Sequence, residues 1–375
     1  MSRTSKLFRH KFPYDVEGTN ELFLRAVREN CRYQYEHNAG YRAILDGKGF
    51  HPDMLKEYSD IANLPFLPTL VFKHHVMYSM PSWRMLVKAT SSGTGGQFSQ
   101  IGFSCGDLWN GLHMVLKVVN DRKLFSLCPC NYVVFGYKPH KSNHTAVTKT
   151  AFGATLFTPQ LHRTYALSFT DGKYVPDLEG VIRAILKYAR SRFPLRFMGF
   201  PSYTYFTMRM LDERGIYLRL PKGSKIMLGG GWKQFYREAV DKEEFYALAK
   251  KVFGLDDSEI VEFYGAVEHP ILYCDCPRHH FHVPVYSRVI IRDVNTLNPV
   301  PNGQIGLVNL ISPMVKATPI LSVMTDDLGI LHDGSECGCG RTSPYLEIIG
   351  RVGLKDIKTC AAGAADILKE AGAKV

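Results

Sequence analysis

Apolar residues recur at helical spacing through Asn20-Glu-Leu-Phe-Leu-Arg-Ala-Val-Arg-Glu-Asn-Cys-Arg-Tyr-Gln-Tyr35, so residues 14 to 60 read as mainly helical. Pro52 suits the first turn of a further short helix, and Pro65 and Pro68 interrupt the chain before Val71-Phe-Lys-His-His75. Met85-Leu-Val87 and Gln100-Ile-Gly-Phe-Ser104 have the pattern of short strands, and a helix follows from Asp107, whose side chain suits its start. Strand and helix patterns then alternate. Strands are expected at Tyr132–Gly136, Arg196–Ser202, Lys225–Leu228 and Glu259–Tyr264; helices at Gly180–Arg190, Tyr203–Arg214 and Asp241–Phe253. This alternation predicts an α/β protein with a largely parallel sheet, in which ligands gather at the carboxyl ends of the strands.

From residue 283 the spacing becomes more β-like. Val283 to Asp293 alternates, Pro299-Val-Pro-Asn-Gly303 makes a turn, and Gly306-Leu-Val-Asn-Leu-Ile311 is another strand. The chain therefore partitions into an α/β core over 1–282 with a helical N-terminal segment, a small β-rich subdomain over 283–350, and a tail over 351–375 whose alanine-rich Ala361–Val375 stretch suits a helix.

At 375 residues the chain can bury a large core and build two or three lobes. It holds no run of 18 apolar residues, so no membrane span is expected. The basic N-terminus, Met1 to His10, has no apolar stretch after it, which argues against a secretory signal and for the cytoplasm. The net charge of +11 is spread along the chain and favours anionic ligands such as nucleotides; no nucleic-acid recognition motif accompanies it.

Against this background three features carry chemistry. In Thr90-Ser-Ser-Gly-Thr-Gly-Gly96 the glycines allow close backbone approach, and the N–H and hydroxyl donors suit a phosphate. It is neither a Walker A loop nor a dinucleotide fingerprint. Glycines recur at two other expected strand ends, Gly229-Gly-Gly231 and Gly265, which suggests one shared site. Cys274 and Cys276, with His279, His280 and His282 close behind, are joined by Cys337 and Cys339; thiolates and an imidazole such as His282 suit a structural Zn2+, the alternative being reduced thiols without metal. Gly102-Phe-Ser-Cys-Gly106 matches the serine-hydrolase pattern Gly-x-Ser-x-Gly, and pattern alone leaves that reading open.

Thr90–Gly96 resembles the phosphate loop of the acyl-adenylate-forming enzymes. Phe263-Tyr-Gly-Ala-Val-Glu268 resembles their Tyr-Gly-x-Thr-Glu motif, with Val267 for threonine, and Met324-Thr-Asp-Asp-Leu-Gly329 their Thr-Gly-Asp motif, with Asp326 for glycine. Gly350-Arg351, followed by Lys355-Asp-Ile-Lys358, resembles the segment at their hinge. Within that superfamily, Leu228-Gly-Gly-Gly-Trp-Lys233 is similar to the acyl-protein synthetases of the bacterial bioluminescence fatty-acid reductase complex, and more distantly the chain resembles phenylacetate–CoA ligases. The resemblance implies the large N-terminal domain of an adenylate-forming enzyme, with mostly parallel sheets flanked by helices, a small β subdomain, and the mobile C-terminal domain largely absent.

It also implies ATP and Mg2+. Ser91, Ser92, Gly93, Thr94, Gly95 and Gly96 would hold polyphosphate and Glu268 the metal. Asp327 and Arg351 would fix the ribose, and Gly229, Gly230, Gly231, Tyr264 and Gly265 would border the nucleotide or acyl chain, with Trp232 as a wall. Lys233 would neutralise phosphate charge, and Cys360, flanked by Lys355 and Lys358, would accept the acyl group as a thiolate. The expected activity is acyl-adenylate formation from a carboxylic acid, fatty or aromatic, then transfer to Cys360 and on to a reductase or another acceptor protein. An acyl- or aryl-CoA ligase and a non-catalytic, zinc-stabilised nucleotide-binding protein remain as alternatives, and homo-oligomerisation is left open.

Overall fold

The computed structural model describes residues 1–91, 98–141, 143, 145–232 and 239–351. The chain separates into two compact units, one of residues 1–118 and 265–375, the other of residues 119–264.

The first unit begins with α1 (Arg3–Phe8), α2 (Asn20–His37) and α3 (Ala39–Gly47). α2 buries Phe23, Leu24, Ala26, Val27, Asn30, Cys31 and Gln34, one helical stripe that turns polar at its middle. The polar members have a backbone to satisfy: Asn30 Nδ2 donates to the carbonyls of Pro313 at 2.8 Å and Val315 at 2.9 Å. Pro52 opens a 3-10 turn, Pro52–Met54, as its fixed φ and missing N–H allow. β1 (Leu67–Pro68) leads directly into α4 (Thr69–His74). β2 (Met85–Thr90) and β3 (Gln100–Ser104) form an antiparallel ribbon, followed by α5 (Cys105–Asp121). Ser104, the serine of the hydrolase-like pattern, caps this helix: its hydroxyl accepts from Asp107 N–H, and the Asp107 carboxylate accepts from Ser104 N–H.

The second unit is built on β4 (Cys130–Tyr137), α6 (Ala146–Ala154), β5 (Gln160–Thr170), β6 (Lys173–Pro176), α7 (Leu178–Ala189), β7 (Leu195–Gly199), α8 (Pro201–Glu213), β8 (Lys225–Gly229), α9 (Lys242–Phe253) and β9 (Ile260–Ala266). Its strands run in the order β9-β8-β7-β4-β5-β6. All pairs are parallel except β5–β6, as the alternating pattern predicts. β4 is buried along nearly its whole length, because helices cover a parallel sheet on both faces. At the end of β7 a Cβ on Gly199 would lie 2.2 Å from the Phe135 carbonyl oxygen, and its φ is +139°, so only glycine fits there. β5 and β6 are absent from the sequence reading: β5 opens on a mixed run (Gln-Leu-His-Arg-Thr-Tyr), exposed over its first three residues, that shows neither alternation nor an apolar block.

The chain then returns to the first unit through β10 (His269–Cys274), β11 (Phe281–His282), β12 (Arg288–Arg292), β13 (Ile305–Ile311), β14 (Ser322–His332) and β15 (Tyr345–Arg351). Here β11-β15-β14-β13-β12 is an antiparallel sheet, with β1 added in parallel against Val323 and Met324 of β14. The β-rich stretch that the sequence sets apart at 283–350 thus shares a unit with residues 1–118. Arg288 shows why. Its buried guanidinium donates to Tyr58 Oη at 2.7 Å, Asn20 Oδ1 at 2.9 Å and the Val16 carbonyl at 3.0 Å, and lies over the Phe23 ring. No helix among the described residues is long and apolar enough to cross a membrane.

Candidate functional site

The register of β2 and β3 places Thr90 opposite Gln100, which brings together the two ends of the Ser/Gly/Thr segment. Ser91 N–H donates to the Ser99 carbonyl at 3.2 Å, and Ser99 N–H donates to Ser91 Oγ at 3.0 Å. Ser92, Gly93, Thr94, Gly95 and Gly96 lie outside the described residues. Ser99 is fully buried, and its hydroxyl completes no hydrogen bond of normal geometry among the described residues.

That hydroxyl sits beside Glu268, whose side chain is only 5% exposed. Burial pushes the Glu268 carboxyl above the usual carboxylate value; the Ser99 hydroxyl, the residue's own backbone N–H and the positive charges of Lys73 and Arg351 pull it back. Lys73 belongs to α4, a segment whose sequence reads only as an interruption. A buried carboxylate held against two cations but paired with neither suits a hard metal ion.

Arg351 ends β15 opposite Asp327 of β14. Its guanidinium stands 3.8 Å from Asp327 Oδ1 and 3.9 Å from Asp326 Oδ2, too long for hydrogen bonds. Asp326 occupies the position where the resemblance places glycine, and its carboxylate accepts from Thr69 Oγ1 at 3.2 Å. Four separated parts of the sequence therefore converge in the first unit: the Ser91 and Ser99 pair, Glu268, Asp326–Asp327 and Arg351. Thr69 and Lys73 join them, and neither lies in a pattern that sequence reading could single out.

The second unit holds Gly229 at the end of β8, then Gly230 and Gly231 with φ of +81° and +65°. The Trp232 indole, expected as a ligand wall, packs on the core of this unit, 5.7 Å from the Tyr205 ring. Tyr264 and Gly265 lie within β9 rather than in a loop after it. Lys233 and Cys360 fall outside the described residues.

A separate cluster occupies the far end of the antiparallel sheet. Donor atoms of Cys276, His282, Cys337 and Cys339 all lie within 4.8 Å of one another. Cys276 Sγ is 3.5 Å from Cys337 Sγ, and His282 Nε2 is 3.2 Å from Cys339 Sγ. A tetrahedral Zn2+ with bonds of about 2.0–2.3 Å has ligand–ligand edges of roughly 3.5–3.8 Å, so the set is near that size. His282 Nδ1–H donates to the Ser343 carbonyl at 2.7 Å, which leaves the Nε2 lone pair directed at the thiols. Burial pushes the Cys337 thiol up, and contact with the Cys339 and Cys276 thiols adds to this. In Cys276 and Cys339, burial is outweighed by hydrogen bonds that bring each below the usual thiol value. Cys274, buried in β10, is not in the group of four, although the sequence pairs it with Cys276. Alternation along a strand would put residues two apart on one face, but Cys274 ends β10 and Cys276 sits in the turn beyond it, where that rule no longer holds. Of the other histidines, His280 places Nδ1 3.1 Å from Cys337 Sγ, and His279 pairs with Asp275 at 2.7 Å.

The family model described as acyl-protein synthetase, LuxE, matches residues 7–369. A long-chain-fatty-acid–luciferin-component ligase of Aliivibrio fischeri is 25% identical over 376 residues, covering 95% of this chain and 91% of that protein. The corresponding ligase of Vibrio harveyi is 24% identical over 363 residues, covering 93% and 88%. A phenylacetate–coenzyme A ligase of Aromatoleum evansii is 24% identical over 320 residues, covering 82% of this chain and 65% of that protein. Among solved structures, 2-hydroxyisobutyryl-CoA ligase in its postadenylation state superposes with a TM-score of 0.69 at 14% identity, over 91% of this chain and 69% of that one. This last match shows the adenylate-forming fold.

Proposed function

The chain belongs to the acyl-protein synthetase (LuxE) family of ligases, and from that premise we propose that it activates a fatty acid as an acyl-adenylate and passes the acyl group to Cys360. The observation that carries this reading is the convergence of Ser91, Ser99, Glu268, Asp326–Asp327 and Arg351 in one unit.

A carboxylate is a poor acyl donor because its oxygen is a poor leaving group. In the proposed reaction a carboxylate oxygen of the acid attacks the α-phosphorus of ATP. The bond to the bridging oxygen breaks, its electron pair leaves with pyrophosphate, and a mixed anhydride remains. Glu268 would hold Mg2+, which supplies charge neutralisation on the phosphates. Asp327 accepts hydrogen bonds from the ribose hydroxyls. Arg351 is 61% exposed and, among the described residues, held by long contacts to Asp326 and Asp327, so its guanidinium would turn onto the nucleotide. In the second step the Cys360 thiolate attacks the acyl carbon, a thioester forms and AMP departs. From there the acyl group would pass to a reductase or another acceptor protein. The buried Ser99 hydroxyl and the raised Glu268 carboxyl are groups that a bound metal–nucleotide would satisfy.

Cys276, His282, Cys337 and Cys339 would hold a structural Zn2+ that ties β11 and the turn after β10 to the segment between β14 and β15. The test of function is acid-dependent ATP–pyrophosphate exchange across a panel of fatty and aromatic acids, with wild type and Cys360→Ala. Exchange with fatty acids in both proteins, and acyl labelling only in wild type, is the expected result. No exchange with any acid would refute adenylation. The phenylacetate–CoA ligase relatives favour one other reading, in which CoA is the acceptor; acyl labelling of the protein without CoA excludes it.

A further inference from the structure

We propose that Lys73 contacts the phosphates of ATP beside Glu268 and stabilises the charge that develops when the α-phosphorus is attacked. This rests on the adenylation reading above.

Lys73 and Thr69 are four residues apart on α4, so they share one face of the helix. Thr69 is already tied to the nucleotide side of the molecule, since its hydroxyl donates to Asp326. The placement follows from the strand before it. β1 pairs in parallel with β14 at Val323 and Met324, so the chain enters α4 where β14 reaches Thr325, Asp326 and Asp327. α4 also packs against β3, the strand that follows Ser99. One short helix thereby sits over both the Asp326–Asp327 pair and the Ser99–Glu268 pair. Its last residue, His74, and the capping His75 are exposed, whereas Lys73 is half-buried.

What singles out Lys73 is the contact it does not make. Its charge acts on Glu268, yet among the described residues it forms no ion pair and no hydrogen bond. Ordering a lysine side chain costs rotamer freedom, and a purely structural lysine recovers that by closing on a carboxylate or a carbonyl. Here the ammonium acts on the carboxylate through its charge, and among the described residues neither closes on the other. A metal-bound polyphosphate has the chemistry to serve both groups, with a cation for the carboxylate and oxygen acceptors for the ammonium. During attack, charge accumulates on the non-bridging oxygens and on the departing pyrophosphate. A fixed ammonium lowers the energy of that arrangement without any proton changing hands.

The experiment compares wild type, Lys73→Met, which keeps the apolar stem, and Lys73→Arg, which keeps the charge. Four quantities are read: ATP–pyrophosphate exchange, affinity for a non-hydrolysable ATP analogue by calorimetry, acyl labelling from chemically synthesised acyl-adenylate, and thermal midpoint. Lys73→Met is expected to lose about 10²–10³-fold in exchange and to bind the analogue at least about tenfold more weakly. Labelling from supplied adenylate and the thermal midpoint should stay near wild type, because the charge is needed only while phosphate transfer occurs. Lys73→Arg should fall between the two. Exchange and analogue affinity within about threefold of wild type in Lys73→Met would overturn the proposal, as would an equal loss in both half-reactions. Should Lys73→Met fail to fold, Lys73→Gln carries the same comparison. If wild type exchanges with no acid, it is the adenylation reading that fails; unchanged affinity for the analogue then overturns the role of Lys73 independently.

Discussion

Glu268→Gln should move stability and activity in opposite directions. The carboxylate is 5% exposed, and burial raises its pKa more than Ser99, Lys73 and Arg351 lower it. In the nucleotide-free protein the ionised form is therefore a net cost at neutral pH. Glutamine keeps the shape and removes the charge. Relieving such a buried charge is expected to add about 0.5–2 kcal/mol. For a unit of this size each kcal/mol shifts the thermal midpoint by roughly 2–4 °C, so a rise of a few degrees is anticipated at pH 7. The sign with pH follows from proton linkage. A carboxyl whose folded pKa lies above its unfolded one binds more protons when folded, so its cost shrinks as pH falls through the folded value. The gap between variant and wild type should close toward acid. Activity should go the other way, because an amide holds Mg2+ poorly; a fall of about 10²–10³-fold in ATP–pyrophosphate exchange is expected. Thermal unfolding at pH 7 and pH 5 without nucleotide, together with exchange at pH 7, makes the test. A destabilised variant, with activity lost in proportion to unfolding, would refute the argument, as would full exchange in a stabilised one.

Purified protein should contain about one zinc per chain by elemental analysis. Cys276→Ala, Cys337→Ala and His282→Ala should each lose it, and Cys274→Ala should retain it; retention by the first three would refute the four-residue site. Arg351→Ala should raise KM for ATP at least about tenfold while leaving the thermal midpoint within about 1 °C, since its contacts to Asp326 and Asp327 are long and the side chain is exposed. Asn30→Leu should lower stability by about 2–4 kcal/mol in denaturant titration, because it strands the buried carbonyls of Pro313 and Val315. A loss under about 1 kcal/mol would show that those carbonyls find other partners.

Much of the architecture is legible in the sequence. The alternating strands and helices of residues 130–266 announce a parallel sheet, because strands covered on both faces must be continuous apolar runs, as β4 is. The motifs at Thr90–Gly96, Tyr264–Glu268, Asp326–Asp327 and Arg351 are readable because each needs particular residue types in one short stretch, and the family match over residues 7–369 agrees with the relationship they indicate. β5 and β6 escape, since strands of mixed residues with exposed stretches carry no periodic signal to detect.

The local chain therefore determined which residue types are present: a Ser/Gly/Thr-rich segment, acidic motifs and a set of cysteines and histidines. Only the tertiary structure decided which of those groups meet. It joined Cys276 to His282, Cys337 and Cys339 and set Cys274 apart, because a strand end and the turn beyond it aim their side chains differently. It also brought α4 over β14, so that Thr69 reaches Asp326, 257 positions away, and Lys73 acts on Glu268. Sequence patterns report the spacing of neighbours along the chain. Contacts between distant segments depend on sheet register and on which backbone groups must be satisfied, and these exist only once the whole unit has folded.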